Sequence, residues 1–347
     1  MIDKKYCMSS FMAFRFIERN DVDFYAGLKH KICKRIPESE KKIVFSAEEV
    51  DQTIQKLLDN KLNSYKRPAL LLSGGMDSGI LASYLRGADA YTFRFMGGVF
   101  QREELNRAED FSQKYQLNLH YVDIDWNNTV EKYVDSVMIA KSAPVHSIEP
   151  QIMQAATEAK VNGNDVMIIG ASADDIFGGC DKLLSKDWTY KAFLKRFMYT
   201  DPEIVLKEPV SMEYAFLPFK RGKKIDFIGF LDANSSVETE LSFQNAFEAA
   251  GLEYIDPYSC MKMGGQLELD KIRSGSSKYL IRELFDKKYP EYKVPEKIPM
   301  PRPVNEYFKN WRGPSRKEFR NDIDMSALTG NQKWQLYSLE RFLNIFE

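Results

Sequence analysis

The hydrophobic pattern in the first half of the chain alternates between short apolar runs and amphipathic helical segments. The short runs are typical of strands buried in a parallel sheet, and the longer segments repeat apolar residues at helical spacing. The predicted strands are Ala69–Leu72, Tyr91–Phe95, Leu119–Ile124 and Val166–Ile169; the predicted helices follow Ser46, span Asp77–Arg86 and Glu103–Tyr115, and lie near 127–141 and 149–162. This alternation predicts right-handed βαβ units and a parallel sheet that is covered by helices on both faces.

The pattern also divides the chain into three parts. Residues 1–45 have no clear periodicity, and we leave them as an N-terminal segment of uncertain structure. An α/β core is predicted over 46–185, where Ser46 and Glu49 form a capping box that opens the first helix. From residue 186 to 347 aromatic helical segments dominate without a strand pattern, which predicts a mostly helical part. The five prolines of Pro290–Pro303 predict an extended segment within it.

The amino-acid composition of the chain limits the kinds of partner that it is expected to bind. The 49 basic and 50 acidic residues give a net charge of −1, so neither nucleic acid nor a membrane surface is an expected partner. No stretch approaches the roughly 20 apolar residues that span a bilayer. The four cysteines are scattered without a Cys-x-x-Cys pair, and the three histidines are too few for a His-rich metal site. We therefore expect a cytoplasmic protein with reduced thiols.

The loop Ser73–Ser78 lies between a predicted strand and a predicted helix, and this placement is typical of a phosphate-binding loop. Gly74 and Gly75 have no Cβ, so a phosphate can approach the backbone N–H groups and the start of the helix. Asp77 would repel a bare phosphate, but a bridging Mg²⁺ would explain its presence. The alternative is a Gly-Gly turn with a polar cap. The loop matches neither the Walker A pattern nor the dinucleotide fingerprint.

Five segments together resemble a known family. Leu71–Ser78 resembles the Ser-Gly-Gly-x-Asp-Ser loop of the ATP pyrophosphatase (PP-loop) superfamily, whose members cleave ATP between the α and β phosphates. The other segments are similar to successive parts of the synthetase domain of asparagine synthetases and follow in the same order: Thr92–Phe95 with Glu104–Ala108, Ile169–Gly179, Glu253–Cys260 and Ser274–Phe285. The resemblance covers roughly residues 50 to 310. It implies an α/β fold with a parallel-sheet, adenine nucleotide α-hydrolase-like core and a helical C-terminal half that completes the active site.

The resemblance also implies a set of site residues. ATP would contact Leu72, Ser73, Gly74, Gly75, Asp77, Ser78, Phe95 and Gly170. Asp77 and Asp174 would hold Mg²⁺, and Asp174 and Lys278 would be catalytic. Without the resemblance, Asp174 reads as a helix cap, and Lys278 with Arg282 as a solvated surface.

Other charged residues stay open at this stage. Arg94 is as consistent with a surface role as with the cleft. Arg282 fits either a phosphate contact or a structural role. Glu203 and Glu208 lie where some relatives have a glutamate that assists the attacking amine, but neither can be aligned with it.

Several departures from the family alter its implications. The family's Gly-Glu-Gly is Gly170-Ala171-Ser172 here, the second serine after the loop aspartate is Gly79, and the arginine of the later turn is Ile255. These changes preserve the expected fold and ATP chemistry but weaken the case for aspartate as substrate. The family's glutaminase domain uses a cysteine after the initiator Met, where this sequence has Ile2, so no glutaminase is expected in this chain.

Three functions are consistent with these residues. The first is an amide-forming ligase that uses ATP and Mg²⁺ to adenylate a small-molecule carboxylate and passes the acyl group to ammonia, from solution or a separate glutaminase, or to an amine donor. The second is a thiolation or other nucleotide-modifying enzyme of the same superfamily, for which Cys180 would be the sulfur-handling residue. The third is a nucleotide-binding partner that has lost catalysis.

Overall fold

The structure is a computed structural model that describes residues 1–96, 102–294, 300 and 302–347 of the chain. The strands are β1 (Lys42–Val44), β2 (Pro68–Leu71), β3 (Asp89–Phe95), β4 (Asn118–Ile124), β5 (Val166–Ile168), β6 (Lys220–Arg221), β7 (Lys224–Ile225), β8 (Glu253–Ile255) and β9 (Met261–Met263). The helices are α1 (Lys4–Phe14), α2 (Ala47–Leu62), α3 (Met76–Ala82), α4 (Arg102–Tyr115), α5 (Trp126–Lys141), α6 (Glu149–Val161), α7 (Ala173–Ile176), α8 (Asp181–Leu184), α9 (Tyr190–Phe197), α10 (Pro202–Val205), α11 (Phe227–Asn234), α12 (Val237–Ala250), α13 (Leu269–Arg273), α14 (Tyr279–Lys288), α15 (Val304–Tyr307) and α16 (Gly330–Phe346). Short 3₁₀ segments occupy Glu213–Phe219 and Tyr258–Cys260.

A parallel sheet forms the centre of the molecule. Within the described residues its strand order is β4-β3-β2-β5-β8, and each neighbouring pair is parallel. The chain moves outward from β2 through β3 to β4, and then returns to the other side of β2 to form β5. The order therefore reverses between β2 and β5, and in open parallel sheets such a reversal creates a crevice at the carboxyl ends of the strands.

The two faces of this sheet bury different helices. Along β2, Ala69 and Leu71 face a core that includes residues of α5, α6, α12 and α16, whereas Leu70 packs in a second core with α2, α3, α4 and α14. This alternation follows from the period of two residues in a strand. It explains why the strand reads as a continuous apolar run, since both faces are covered.

The α/β pattern predicted from the sequence is confirmed. Each predicted strand and helix of the first half is present within a few residues, and only α3 is clearly shorter than expected. The Ser46 side chain accepts a hydrogen bond from the Glu49 N–H, as an N-cap should. The returning bond of the capping box differs, because the Glu49 carboxylate accepts from the N–H of Phe45.

The second half is mainly helical, but it also contains short strands that we did not expect. Strand β8 completes the edge of the central sheet, β9 pairs with β1 in parallel, and β6 pairs with β7 as a hairpin. Each has only two or three residues, which is too short to give a periodic signal. The predicted boundaries at 45/46 and 185/186 stay predictions. Much of the proline segment predicted as extended, 295–299 and 301, lies outside the described residues.

The N-terminal segment contains a core helix. Helix α1 begins at the N-cap Asp3, whose side chain accepts from the Tyr6 N–H, and ends at Arg15 in the left-handed conformation with φ 69°. Its residues from Tyr6 to Phe14 are all buried. Beyond it, the Tyr199 and Thr200 N–H groups donate to the carbonyl oxygens of Ala13 and Met12. This part of the chain is thus integrated into the fold.

No helix in the described part of the chain has the length and apolar character that crossing a bilayer requires.

A substitution at Gly79 would test the packing between α3 and α4. A Cβ placed on Gly79 would lie 2.9 Å from Cε2 of Phe111, which is fully buried. We expect Gly79→Ser, which restores the family's serine, to lower the stability by about 1–3 kcal/mol because the core is overpacked. The measurement is the thermal unfolding midpoint. Gly265→Ser is the matched control, since a Cβ there would meet nothing within 4 Å. Equal midpoints for the two variants would contradict the prediction.

Candidate active site

The candidate site lies where the strand order reverses. The Ser73–Ser78 loop follows β2, and the loop containing Asp174 follows the adjacent strand β5. Because parallel strands present their carboxyl ends at one edge of the sheet, both loops reach the same crevice. The structure therefore brings together two segments that are about 100 residues apart in the sequence, as the predicted sheet requires.

Two serine hydroxyls brace the phosphate loop from within. The Ser78 Oγ accepts from the Ser73 N–H at 2.9 Å and donates to the Ser73 carbonyl at 3.0 Å. The Ser73 Oγ lies 2.9 Å from the Ser78 Oγ and accepts from the Gly75 N–H at 3.2 Å. Ser78 is buried and Ser73 is exposed. Ser78 thus shapes the loop, while Ser73 is the hydroxyl that a ligand can reach.

The first glycine of the loop is required by the close approach of α4. A Cβ on Gly74 would lie 2.3 Å from the carbonyl oxygen of Glu104, which no side chain could tolerate. Arg107, from the same helix, donates through Nε to the Gly74 carbonyl at 2.8 Å. Helix α3 then begins at Met76 without a side-chain cap on Gly75. An uncapped helix start leaves backbone N–H groups that can donate hydrogen bonds to a phosphate.

A glycine pair folds the second loop around Asp174. The Gly179 N–H donates to the Asp174 carbonyl at 2.7 Å, and a Cβ on Gly179 would lie 2.3 Å from Oδ1 of Asp174. Gly178 adopts φ +77°, where a side chain would also meet Ile272. Both glycines are thus needed for the turn that presents the Asp174 carboxylate to the crevice.

The Lys278 ammonium joins the two loops. Its Nζ lies 2.9 and 2.7 Å from Oδ1 and Oδ2 of Asp77, and 2.9 Å from Oδ1 of Asp174. Lys278 is 5% exposed and precedes α14. Burial alone would lower the pKa of Lys278, but the charges and hydrogen bonds of Asp77 and Asp174 outweigh it and raise that pKa. The lysine is therefore a permanent cation at this point.

The same two carboxylates fit a shared divalent ion. Asp77 and Asp174 both reach one atom, the Lys278 Nζ, within 2.9 Å, so they are close enough to share one cation. No group of three or more His, Cys, Asp and Glu side chains in the described part of the chain could hold a metal alone. Mg²⁺ commonly uses one or two carboxylates and completes its shell with substrate phosphates and water. The pair suits an ion that arrives with a nucleotide.

A buried carboxylate supports the Asp174 loop from below. The Asp256 carboxylate accepts from the N–H groups of Ser172 and Tyr258 at 2.8 and 3.1 Å. Burial raises the pKa of Asp256 to about 7, although these hydrogen bonds oppose the shift. The Tyr258 hydroxyl donates to the Asp77 carbonyl at 2.9 Å. The turn after β8 thus fixes the positions of both loops that contain the aspartates.

A cavity of about 350 Å³ opens beside Asp174. Its walls come from the end of α1, the Asp174 loop, α9 and the α11–α12 junction, and they are formed by Ala13, Phe14, Arg15, Phe16, Ala171, Asp174, Asp175, Cys180, Leu183, Arg196, Phe197, Tyr199, Asn234, Ser235, Glu238 and Thr239. Burial raises the pKa of Asp175 to about 6, and the charge of Asp174 adds to this effect. The volume falls within the usual range for small-molecule sites.

Three further residues that the sequence predicts as ATP contacts, Leu72, Phe95 and Gly170, lie on different segments of the chain. Leu72 is buried and its N–H donates to Tyr91, so its carbonyl is the group it can offer to a ligand. Phe95 is buried at the end of β3. Gly170 lies beside the phosphate loop, because a Cβ there would be 3.4 Å from Cβ of Asp77. These roles stay predictions.

The charged residues left open by the sequence are now placed. Arg94 pairs with Asp123 on the surface, with the Nε 2.6 Å from Oδ1. Arg282 donates to the Ser277 carbonyl at 2.6 Å, which is a structural contact. Glu203 is exposed on α10 and Glu208 pairs with Lys5 at 2.7 Å, and neither lines the cavity beside Asp174.

Sequence reasoning missed several residues of this site. Asp256 and Tyr258 lie in a segment that resembles the family, and their position there was the available signal. Arg107 lies in the predicted helix after β3, but nothing in its spacing indicated a bond to the loop. Arg15 and Arg196 belong to no motif, and only the folded chain brings them to the cavity.

Comparisons with known proteins identify one family for this chain. A family model described as asparagine synthase matches residues 49–249, more than half of the chain. No curated protein sequence matches. The chain is similar to solved structures of U34-tRNA thiolase NcsA from Methanococcus maripaludis with its [4Fe-4S] cluster (14% identity, 72% of this chain, 82% of that chain, TM-score 0.30). It is also similar to NMN synthetase from Francisella tularensis (13% identity, 74% of this chain, 100% of that chain, TM-score 0.29). A third similar structure is NH3-dependent NAD synthetase from Campylobacter jejuni subsp. jejuni NCTC 11168 in complex with the nitrate ion (12% identity, 74% of this chain, 100% of that chain, TM-score 0.27). Structural likenesses at these TM-scores carry no argument about this chain.

The two converging carboxylates give a direct test of the site. We expect Asp77→Asn and Asp174→Asn each to reduce ATP turnover at least tenfold, because removing one stabilising group from such a site commonly costs about 10²–10³ in rate. Steady-state rates and circular dichroism spectra would be measured together. Asp181→Asn is the control, since Asp181 is exposed on α8 close by. Near-normal rates in both variants would rule out the two carboxylates as ligands.

Proposed function

This chain belongs to the asparagine synthase family, and we propose that it is an ATP-dependent ligase that forms an amide. A carboxylate oxygen of the substrate attacks the α-phosphorus of ATP, and pyrophosphate leaves. The nitrogen of ammonia or an amine then attacks the acyl carbon, and AMP leaves. The observation that carries this proposal is the convergence of Asp77 and Asp174, from loops after adjacent strands, on the Lys278 ammonium.

Each part of the site has a role in this reaction. The Ser73–Ser78 loop and the start of α3 would accept the phosphates that leave as pyrophosphate. Asp77 and Asp174 would hold Mg²⁺, which supplies charge neutralisation at the leaving phosphates when it is bound. Lys278 would stabilise negative charge that develops on the reacting oxygens, since its ammonium is largely removed from water.

Thiolation is the second candidate function. Cys180 lines the cavity beside Asp174, and its Sγ lies 3.5 Å from Oδ1 of Asp175. A thiol in that position could handle sulfur in a reaction that begins with the same adenylation. Mass spectrometry of the product distinguishes nitrogen from sulfur incorporation. A nucleotide-binding partner without catalysis is distinguished by the absence of AMP formation with any acceptor.

The proposal also includes the source of the nitrogen and the cellular location of the protein. Ammonia can reach the acyl group from solution or from a separate glutaminase, and an amine substrate would replace both. The cysteines of the described chain form no disulfide, and a cytoplasmic location stays a prediction.

Attack at the α-phosphorus predicts a particular pair of products. AMP and pyrophosphate should appear in equal amounts when ATP, Mg²⁺ and an accepted carboxylate are present, because one bond between the α and β phosphates is broken in each turnover. Anion-exchange chromatography of the nucleotides and an enzymatic pyrophosphate assay would measure both. ADP with inorganic phosphate as the main products would contradict the proposed chemistry.

The isolated chain should not release glutamate from glutamine. Glutaminase chemistry of the family's kind needs a cysteine thiolate, and burial raises the pKa of both Cys7 and Cys33 to about 12. Amide formation should instead depend on added ammonium and increase between about pH 7 and 9, because the free base is the form that reacts. The assay is glutamate release with ATP and candidate carboxylates present. Appreciable glutamate would contradict the prediction, and Cys180→Ala would then test the thiol in the cavity.

A further inference from the structure

Positive charge is concentrated on one side of the molecule, although the chain as a whole has a net charge of −1. Two segments provide this charge: helix α9 with the turn that precedes it, and the hairpin of β6 and β7. Their eight basic side chains are all exposed, and together they form what we call the basic surface: Lys186, Lys191, Lys195, Arg196, Lys220, Arg221, Lys223 and Lys224. The rest of the chain is therefore net acidic.

The two segments of the basic surface are joined by the fold. The Tyr190 N–H donates to the Lys223 carbonyl at 2.9 Å, and Thr189 forms an antiparallel bridge with Lys224. The Lys220 Nζ also lies 4.5 Å from the centroid of the Tyr190 ring. These contacts hold the hairpin against the start of α9, so the charges of both segments belong to one continuous surface.

Few of these charges are compensated within the molecule. Arg221 pairs with Asp226 at 3.5 Å. Asp187 lies between the lysines in sequence, but it pairs with Arg273 at 2.8 Å. In the described part of the chain, the other seven basic side chains of the surface have no carboxylate within ion-pair distance. They are therefore available to an anion from outside.

The stability of the chain does not explain this cluster. Lys191 and Lys195 lie four residues apart on α9, where like charges slightly destabilise a helix, and Lys191 lies in the first turn, where the helix dipole disfavours a cation. The dipole favours only Lys195 and Arg196, in the last turn. Soluble proteins usually intersperse both signs of charge on their surfaces. A cluster of unpaired cations is better suited to attracting an anionic partner.

The basic surface reaches the edge of the candidate active site. Arg196 is exposed, and it also lines the cavity beside Asp174 together with the next residue, Phe197. A partner that covers α9 would therefore lie at the rim of that cavity.

We propose that the basic surface is a docking site for a protein with an acidic face, which lies at the rim of the cavity beside Asp174 when it is bound. Nucleic acid fits less well. The rings of Trp188 and Tyr190 are 8% and 4% exposed, so neither can stack on a base. An extended nucleic acid would also meet the net acidic remainder of the chain, whereas a compact protein can cover the basic surface alone. Docking of this kind is independent of the reaction that the crevice carries out.

Binding of a fluorescein-labelled polyglutamate peptide to the whole protein tests the docking site. We expect fluorescence anisotropy to show binding that weakens as NaCl is raised from about 50 to 300 mM, because salt screens exposed charges. Replacing four exposed lysines together, by Lys191→Gln, Lys195→Gln, Lys223→Gln and Lys224→Gln, should raise the Kd at least roughly tenfold. Absence of binding to the unaltered protein would overturn the proposal.

A matched variant makes the same change in net charge on the other face of the central sheet. It carries glutamine at four exposed lysines on or next to β1 and α2, which pack in the second core, whereas α9 packs in the first: Lys42, Lys56, Lys61 and Lys66. Its Kd should stay within about twofold of the unaltered value, because these lysines are remote from the basic surface. An equal loss of binding in both variants would overturn the proposal. Circular dichroism spectra show whether each variant folds.

Cross-linking locates the bound peptide on the unaltered protein, without any substitution. A carbodiimide activates a glutamate carboxylate of the peptide, and a lysine amine that lies against it forms an amide and displaces the urea. Peptide mass mapping should find these amides on the lysines of the basic surface. Amides found mainly at Lys42, Lys56, Lys61 and Lys66 would overturn the proposal.

Duplex RNA of the same net charge tests the alternative class of partner. We expect RNA to bind more weakly than polyglutamate at the same NaCl concentration. Tighter binding of RNA, lost when the four lysines of the basic surface are replaced, would overturn the assignment to an acidic protein and identify a nucleic-acid site.

Discussion

The ion cluster of the buried Lys278 with the partly exposed Asp77 and Asp174 is the interaction on which the arrangement of the site depends. Moving the Lys278 ammonium out of water costs several kcal/mol, and replacing buried ion pairs with apolar residues often leaves a protein as stable or more so. Lys278 also adopts φ 51°, an uncommon conformation for a non-glycine residue, and places a cation at the start of α14, where the helix dipole disfavours it. Three unfavourable terms at one residue are hard to explain by stability alone. They are consistent with a cluster that is retained for the chemistry of the crevice.

The parallel sheet determines where that cluster can form. Strands β2 and β5 are neighbours with Ala69 opposite Met167, so the loops that follow them leave the sheet side by side. The supporting contacts then hold the loops at the correct separation: Asp256 fixes the Asp174 loop and Tyr258 fixes the phosphate loop. Both residues follow β8, the strand that completes the sheet edge beside β5. The edge strand therefore contributes to the geometry of the site although it has only three residues.

The extent to which sequence could predict this structure depends on how local each signal is. The strands and helices of residues 46–185 repeat apolar residues over enough positions to be recognised, and the glycines of the two loops are explained by close approaches of Glu104 and Asp174. Strand β8 has too few residues for periodicity. The burial of α1 and the path of Arg15 into the cavity depend on contacts with residues near 199 and 238. Such long-range contacts leave no periodic signal, so Arg15 and Arg196 could not be found from spacing.

One departure from the family's motifs changes the charge of the cavity beside Asp174. Where the family resemblance implies a glutamate, this chain has Ala171, which lines the cavity beside Asp174 and Asp175. A carboxylate at that position would add negative charge to a wall that already holds two acidic side chains, and would repel an anionic substrate. A methyl group removes that repulsion and leaves more room. The loss of the glutamate thus makes this wall of the cavity less negative than the family's motif would make it.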